Sequence, residues 1–193
     1  MTDTQKNSNL KFGRSRLLPQ EEMLETARKS KSLSIGIPRE SSEHETRVCL
    51  TPEAVELLVN NGHEVRIETG AGKDASYLDT DYSECGGTIV DQAKEIYQSD
   101  IILKVASLDD QEMAMLKGNQ VLISSLHVAT QKESYFRELI KKKMTGIAFE
   151  NIKDQYDRFP VVRSMSEIAG ITSLLLASEY LSNVHRGKGV LLG

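Results

Sequence analysis

The amino-acid sequence predicts an α/β fold in which one parallel β-sheet carries helices on both of its faces. From Leu33 onward, short apolar runs typical of buried strands alternate with segments whose apolar residues recur at helical spacing. No internal repeat or low-complexity tract interrupts this alternation. Strands that alternate with helices pair in parallel, and such sheets bind ligands at the carboxyl ends of their strands. We therefore expect any ligand site to lie at that edge.

The first strand–helix unit carries clear local signals. Residues 33–37, "LSIGI", form a short run of the buried-strand type. Thr51 is predicted to cap the next helix, with Pro52 at its first position and Glu53 in its first turn. Gly62 is predicted to end that helix.

The remaining elements continue the same alternation. Further strands are predicted at residues 63–69, 86–90, 100–106, 120–127 and 145–150, and a strand that has barely begun at 187–193. Further helices are predicted at residues 79–85, 91–97, 111–117, 131–143 and 164–182. Charges alternate with Val65 and Ile67 in the second strand, which indicates an edge strand. The segment "GAGKDA" at 70–75 is interpreted as a plain turn, because it lacks the spacing of a phosphate-binding loop.

Residues 1–32 are interpreted as a polar N-terminal extension that contains a short helix at 19–29. Pro19 suits the first turn of that helix, and Arg28 and Lys29 complement the negative end of its dipole. We expect this helix to lie on the surface of the domain that begins at residue 33.

The composition excludes several classes of protein. The net charge of −4 argues against a protein that binds nucleic acid by neutralising phosphates. The sequence contains no run of about 18 apolar residues, so no membrane span is expected. The chain has two cysteines without metal or disulfide spacing, which favours a reducing, cytoplasmic location and predicts no metal site.

Three charged or titratable residues follow or interrupt predicted strands. Arg47 lies between the first strand and the first helix, where a guanidinium can grip a carboxylate with two parallel hydrogen bonds; a surface ion pair is the alternative. His127 ends an apolar strand, where a side chain that titrates near neutrality suits proton transfer; a structural role is the alternative. Lys104 is the only charge inside "IILKVA", so it is either paired or faces a polar site.

The segment "MSEIAG" at 165–170 opens the predicted long helix. Ser164 or Ser166 would cap this helix, with Glu167 in its first turn. The positive end of a helix also attracts anionic or hydroxyl-bearing ligands, so a ligand contact is the second interpretation.

Several segments occur in one order and spacing: "IGIPRE", "ETRVCLTPEAVELLVNNGHEV", "ETGAG", "IILKV", "QVLISSLH", "MSEIAG" and "GKGVLLG". Together they resemble the N-terminal domain of alanine dehydrogenases and of the related alpha subunit of nicotinamide nucleotide transhydrogenase. The resemblance covers residues 33–193 and leaves residues 1–32 outside the pattern. It implies a Rossmann-like or flavodoxin-like domain, similar to the catalytic domain of formate and glycerate dehydrogenases.

The combination of "SLH" and "MSEIAG" is similar to the alanine dehydrogenase branch. The resemblance implies that Arg47 binds the carboxylate of L-alanine or pyruvate, and that His127 moves a proton while hydride passes to or from NAD. It also implies that Ser166 contacts NAD, and that the enzyme is a homo-oligomer that converts L-alanine, NAD and water to pyruvate, ammonia and NADH.

The chain departs from the family pattern in two places. The family strand usually reads "KVKEP", whose second lysine touches the substrate, whereas this chain has Ala106 there. Lys104 lies two residues earlier on the same strand face and is expected to substitute for it in part in substrate binding. The sequence ends at Gly193, where the NAD-binding domain of the family would begin. We therefore expect residues 33–193 to be the substrate-binding half of a two-domain enzyme, inactive by itself.

Two other interpretations stay open at the level of the sequence. The transhydrogenase branch also lacks the second lysine, so the chain is alternatively the N-terminal part of the alpha subunit of a proton-translocating transhydrogenase. The change to Ala106 also fits a non-catalytic relative that binds a small carboxylate.

Overall fold

The described part of the chain is built around a six-stranded, all-parallel β-sheet. The computed structural model of the chain describes residues 32–42 and 44–190. In this part of the chain the strand order is β3-β2-β1-β4-β5-β6. The predicted fold class is confirmed. The predicted helix at 19–29 lies outside the described residues.

The strands and helices alternate along the chain. The strands are β1 (Ser34–Ile37), β2 (Glu64–Glu68), β3 (Thr88–Val90), β4 (Ile101–Leu103), β5 (Val121–Ser124) and β6 (Thr145–Ala148). The α-helices are α1 (Pro52–Asn60), α2 (Asp79–Glu84), α3 (Ala93–Ile96), α4 (Asp110–Met115), α5 (Glu133–Lys141) and α6 (Pro160–Leu181). Residues 187–190, which were expected to start a strand, form none.

The two faces of the sheet support two separate hydrophobic clusters. Ile35 and Ile37 of β1 pack with Val55 of α1 in one cluster. Ile102 of β4 packs with Leu139 of α5 in the other cluster. Successive residues of a strand point to opposite faces, so β4 supplies both clusters, with Ile101 and Leu103 packed against the first and Ile102 in the second. A parallel sheet has apolar residues on both faces, so helices cover both faces and exclude water from them.

Helix α1 begins as its sequence predicts. The side chain of Thr51 accepts a hydrogen bond from the backbone N–H of Ala54, and Pro52 occupies the first turn. Gly62 follows the helix with φ of 86°, a left-handed conformation that glycine adopts without strain. Helix α1 therefore ends because its sequence supplies a turn that most residues would resist.

The expectation that β2 is an edge strand is wrong. Strand β2 pairs with β1 on one side and with β3 on the other. Val65 and Ile67 are buried against the cluster that contains α1, and the charges that alternate with them sit on the other face of the strand. The alternation of charged and apolar residues therefore indicates that β2 has one apolar and one charged face, and it does not indicate an edge strand.

Helix α6 is longer than its sequence pattern indicated and has no buried residue. Its large apolar side chains are exposed, namely Ile168, Ile171, Leu174, Leu175, Leu176 and Tyr180. Among residues 32–42 and 44–190, it is the one helix long and apolar enough to cross a membrane by length and composition. That criterion is also met by core helices of soluble proteins, so the absence of a membrane span stays a prediction.

The sheet has a topological switch point between β1 and β4. From β1 the chain runs outward to β2 and β3, whereas β4 leads in the opposite direction to β5 and β6. The loops that leave β1 and β4 diverge there, and this divergence opens a crevice at the carboxyl edge of the sheet.

Candidate functional site

A cavity of about 670 Å³ opens at the carboxyl edge of the sheet. It is lined by segments that follow β1, β4, β5 and β6 and by the N-terminal half of α6. The polar side chains in the lining are those of Glu45, Arg47, Ser107, Ser125, His127, Glu150 and Ser166. Its size and mixed lining suit a small organic ligand.

Arg47 supplies the positive charge of the cavity. Its Nε and Nη2 atoms donate to the two oxygens of Glu45 at 2.7 and 2.6 Å. This pairing raises the pKa of Arg47 and lowers the pKa of Glu45. The remaining Nη1 atom lies 3.4 Å from the sulfur of Met165 and pairs with no carboxylate among residues 32–42 and 44–190. Glu45 thus fixes the guanidinium, and its Nη1 side is left for an anion.

His127 also lines the cavity and lies three residues beyond the end of β5. Its backbone has φ of 46°, which turns the chain sharply so that the N–H groups of Thr130 and Gln131 donate to its carbonyl oxygen. Its Nε2 atom lies 2.8 Å from the hydroxyl of Ser125. A histidine in the left-handed region is uncommon, and such residues cluster at functional sites.

Glu150 holds the histidine segment in place. One of its oxygens accepts hydrogen bonds from the backbone N–H groups of Leu126 and His127, at 3.1 and 2.9 Å. The other oxygen is buried and has no hydrogen-bond partner in the described part of the chain. Glu150 follows β6, so two neighbouring strand ends are joined through one carboxylate.

The segment after β4 forms the wall nearest the switch point. Glu40 accepts from the backbone N–H groups of Val105 and Ala106, at 2.6 and 3.2 Å. The hydroxyl of Ser107 donates to the carbonyl oxygen of Ser125 at 2.6 Å. These bonds hold the wall, and Ala106 presents only a methyl group to the cavity.

Lys104 does not reach this cavity, contrary to the expectation that it binds substrate. Its side chain is 0% exposed, and its ammonium group lies 3.0 Å from Glu112 and 3.4 Å from Glu40. It also contacts the hydroxyl of Ser41 at 3.3 Å. Strand β4 ends at Leu103, so the alternation of strand faces does not extend from Lys104 to Ala106. The ammonium therefore points into an ion network behind the cavity wall.

Ser166 lines the cavity but does not cap α6. The helix begins at Pro160, one and a half turns earlier, and the hydroxyl of Ser166 donates to the carbonyl oxygen of Val162. The hydroxyl of Ser164 likewise donates to the carbonyl oxygen of Pro160. Both cap assignments are therefore wrong, while the place of Ser166 on the cavity leaves its contact with a cofactor as a prediction.

Four polar lining residues were not singled out from the sequence: Glu45, Ser107, Ser125 and Glu150. Ser125 and Glu150 each follow a strand, so the rule that selected His127 also selects them. Glu45 lies two residues before Arg47 and carried no signal of its own, because its role depends on the folding of that loop. Residues 32–42 and 44–190 contain no group of metal-ligating side chains of the kind that holds an ion.

Fold and cavity together define a doubly wound α/β domain with a small-molecule site at the carboxyl edge of its sheet. The chain belongs to the family of N-terminal domains of alanine dehydrogenase and PNT, because the family model "Alanine dehydrogenase/PNT, N-terminal domain" matches residues 36–169.

Relatives with named functions extend this assignment. The chain is 39% identical over 160 residues to an alanine dehydrogenase of Methanococcus maripaludis, covering 82% of this chain and 43% of that protein. It is 36% identical over 159 residues to an alanine dehydrogenase of Staphylococcus saprophyticus, with the same coverage of 82% and 43%. The chain therefore spans less than half the length of these relatives.

Solved structures show the same similarity. An L-alanine dehydrogenase superimposes with a TM-score of 0.78 at 34% identity, covering 83% of this chain and 44% of that structure. A transhydrogenase from Sinorhizobium meliloti superimposes with a TM-score of 0.57 at 27% identity, covering 61% and 35%. The alanine dehydrogenase is thus more similar than the transhydrogenase in both fold and sequence.

Proposed function

We propose that this chain is the substrate-binding half of an NAD-dependent alanine dehydrogenase, which converts L-alanine, NAD and water to pyruvate, ammonia and NADH. The observation that carries the proposal is the placement of Arg47 and His127 in the lining of one cavity at the carboxyl edge of the sheet. The similarity to alanine dehydrogenases, at 36% to 39% identity, supports the choice of reaction.

Each side chain then has a defined task. The Nη1 side of Arg47 binds the carboxylate of L-alanine, while Glu45 keeps the guanidinium in place. Loss of hydride from the substrate α-carbon would leave an iminium, and a bound NAD would supply the hydride acceptor. His127 takes a proton from the water that adds to this iminium and returns it to the nitrogen. Ammonia then leaves as the new hydroxyl group gives its proton to His127 and becomes the ketone oxygen of pyruvate. Ser125, 2.8 Å from Nε2, orients the imidazole ring.

Ser166 is proposed to contact the cofactor. Ser166 and Ala169, both on α6, line the cavity. The rest of the NAD site is proposed to lie outside residues 33–193, which we propose to be one substrate-binding domain, preceded by the polar extension of residues 1–32. We expect the chain alone to form no NADH from L-alanine.

The proposal is tested by titrating pyruvate into the ¹⁵N-labelled 193-residue chain. Saturable shifts are expected for amides near Arg47 and His127. Arg47→Lys should weaken binding by about tenfold or more, because a bond to a charged group is worth about 1.5–3 kcal/mol and lysine lacks the guanidinium geometry. Arg137→Lys, in an exposed ion pair, is the matched control and should leave affinity unchanged. Absence of shifts near both residues would overturn the proposal.

One observation favours the transhydrogenase alternative, namely the methyl group of Ala106 where the alanine dehydrogenase pattern has a lysine. The variant Ala106→Lys separates the two functions. In a carboxylate site, a second cation at this wall should tighten pyruvate binding about tenfold. Equal affinity of both forms would favour the transhydrogenase function, or a relative without catalysis.

Homo-oligomer formation and a cytoplasmic location are also proposed. The exposed apolar side chains of α6 offer a surface that a second copy would cover. Light scattering after size exclusion measures the mass directly, and Leu175→Glu on α6 should reduce it to that of a monomer. A monomeric mass for the unmodified chain would contradict oligomer formation.

A further inference from the structure

A second cavity of about 350 Å³ lies at the topological switch point. It is separate from the cavity that contains Arg47 and His127, and the two have no lining residue in common. The loop after β1, the end of β2, helix α3 and the start of α4 form its walls. The residues that matter for its chemistry are Arg39, Glu40, Glu68, Tyr97, Asp109 and Glu112.

The lining of this cavity is strongly acidic. Among the residues that the structure describes, four carboxylates line it, against one guanidinium, that of Arg39. Lys104, which pairs with Glu40 and Glu112, supplies the other nearby cation and leaves a formal excess of two negative charges. Asp109 accepts from a backbone N–H through Oδ1, as Glu68 does through Oε2, so each has one oxygen free of these bonds. The cavity thus favours a positively charged ligand.

An unpaired hydroxyl faces these carboxylates. Tyr97 is 1% exposed, yet its hydroxyl makes no hydrogen bond within the described residues. Burial and the nearby carboxylates, with Glu112 foremost, raise the pKa of Tyr97 and keep it neutral. The hydroxyl is therefore close to Glu112 but outside hydrogen-bonding geometry. A buried hydroxyl without a partner costs stability, and such a group calls for a ligand or water.

We propose that this second cavity binds a small molecule that carries a primary ammonium group. An ammonium group donates three hydrogen bonds, and the Tyr97 hydroxyl and the free oxygens of Glu68 and Asp109 are three separate acceptors. A divalent metal fits less well, because the described carboxylates do not converge into a metal-holding group. This inference uses neither Arg47 nor His127 and stands apart from the proposed dehydrogenase function.

The experiment titrates ethylammonium chloride into the ¹⁵N-labelled chain. Saturable shifts are expected for the amides of Tyr97 and Glu68, and none from potassium chloride or tetramethylammonium chloride at equal ionic strength. Tyr97→Phe should weaken ethylammonium binding about tenfold, because it removes one acceptor from a charged donor. Tyr180→Phe, which alters an exposed tyrosine on α6, is the matched control and should bind as the unmodified chain does.

A melting-temperature measurement shows whether Tyr97→Phe weakens binding only because the variant misfolds. Tyr97→Phe removes a buried group that has no partner, so the ligand-free variant should melt at the same temperature as the unmodified chain or above it. Equal shifts from potassium or tetramethylammonium would overturn the inference, as would equal ethylammonium affinity in Tyr97→Phe and Tyr180→Phe.

Discussion

Replacing Lys104 by methionine would remove the cation from a buried ion network. The ammonium group lies between Glu112 and Glu40, at 3.0 and 3.4 Å, and both carboxylate side chains are only 7% exposed. Methionine has a similar length and fills the same space. The substitution therefore changes charge with little change in packing.

The expected loss of stability is large. Removing one partner of a buried pair typically costs about 3–5 kcal/mol, because the carboxylates that remain are buried without a counter-charge. With a urea dependence of about 2 kcal/mol per molar, the unfolding midpoint should fall by roughly 1.5–2.5 M. Adding Glu112→Gln should restore part of this loss, because one uncompensated charge disappears.

Urea unfolding followed by far-ultraviolet circular dichroism measures this difference. Lys141→Met is the matched control, because the ion pair of Lys141 with Glu138 is exposed and worth less than about 1 kcal/mol. If Lys104→Met loses no more stability than Lys141→Met, the network does not hold the β4 end and the reasoning is refuted.

Three further predictions concern single residues. Gly36→Ala should cost about 3 kcal/mol or more in urea unfolding, because its Cβ would lie 2.6 Å from the carbonyl oxygen of Ile96. The hydrogen bond from Arg47 lowers the pKa of Glu45 from its ordinary value of 4.5. The pair therefore contributes its full stabilisation of the fold at pH values above 4.5. Stability should therefore fall, as the pH drops through the lowered pKa, more steeply in the unmodified chain than in Glu45→Gln; parallel acid titrations would contradict this. Burial raises the pKa of Cys49 to about 12, so this partly buried thiol should react with a disulfide reagent at about pH 8 more slowly in the folded chain than in the unfolded chain; equal rates at Cys49 would contradict the raised pKa.

Much of the architecture follows from local sequence. The apolar runs of β1, β4 and β5 and the helical spacing between them predicted the order of elements, because burial on both faces demands near-continuous apolar strands. The cap at Thr51 and the turn at Gly62 were also predictable from the sequence, because each depends on only a few neighbouring residues.

The candidate site was predicted in part. Arg47 and His127 were selected because they follow strands in a parallel sheet, and the structure places both in one cavity. Glu45 carried no signal because its partner is an arginine on a folded loop, and the position of Glu150 after a strand did not reveal that its partner is the backbone of a neighbouring strand end. Such contacts exist only after the strands have assembled.

The sequence by itself determined the alternation of strands and helices, the family, and the edge of the sheet at which chemistry-bearing side chains collect. Tertiary structure alone decided where Lys104 points, which strand lies at the edge, and where α6 begins. The physical reason is the separation along the chain over which each interaction acts. Hydrophobic periodicity and capping act over a few residues, whereas the burial of a charge is decided by partners such as Glu40, which lies 64 positions away in the chain and beside Lys104 in the fold.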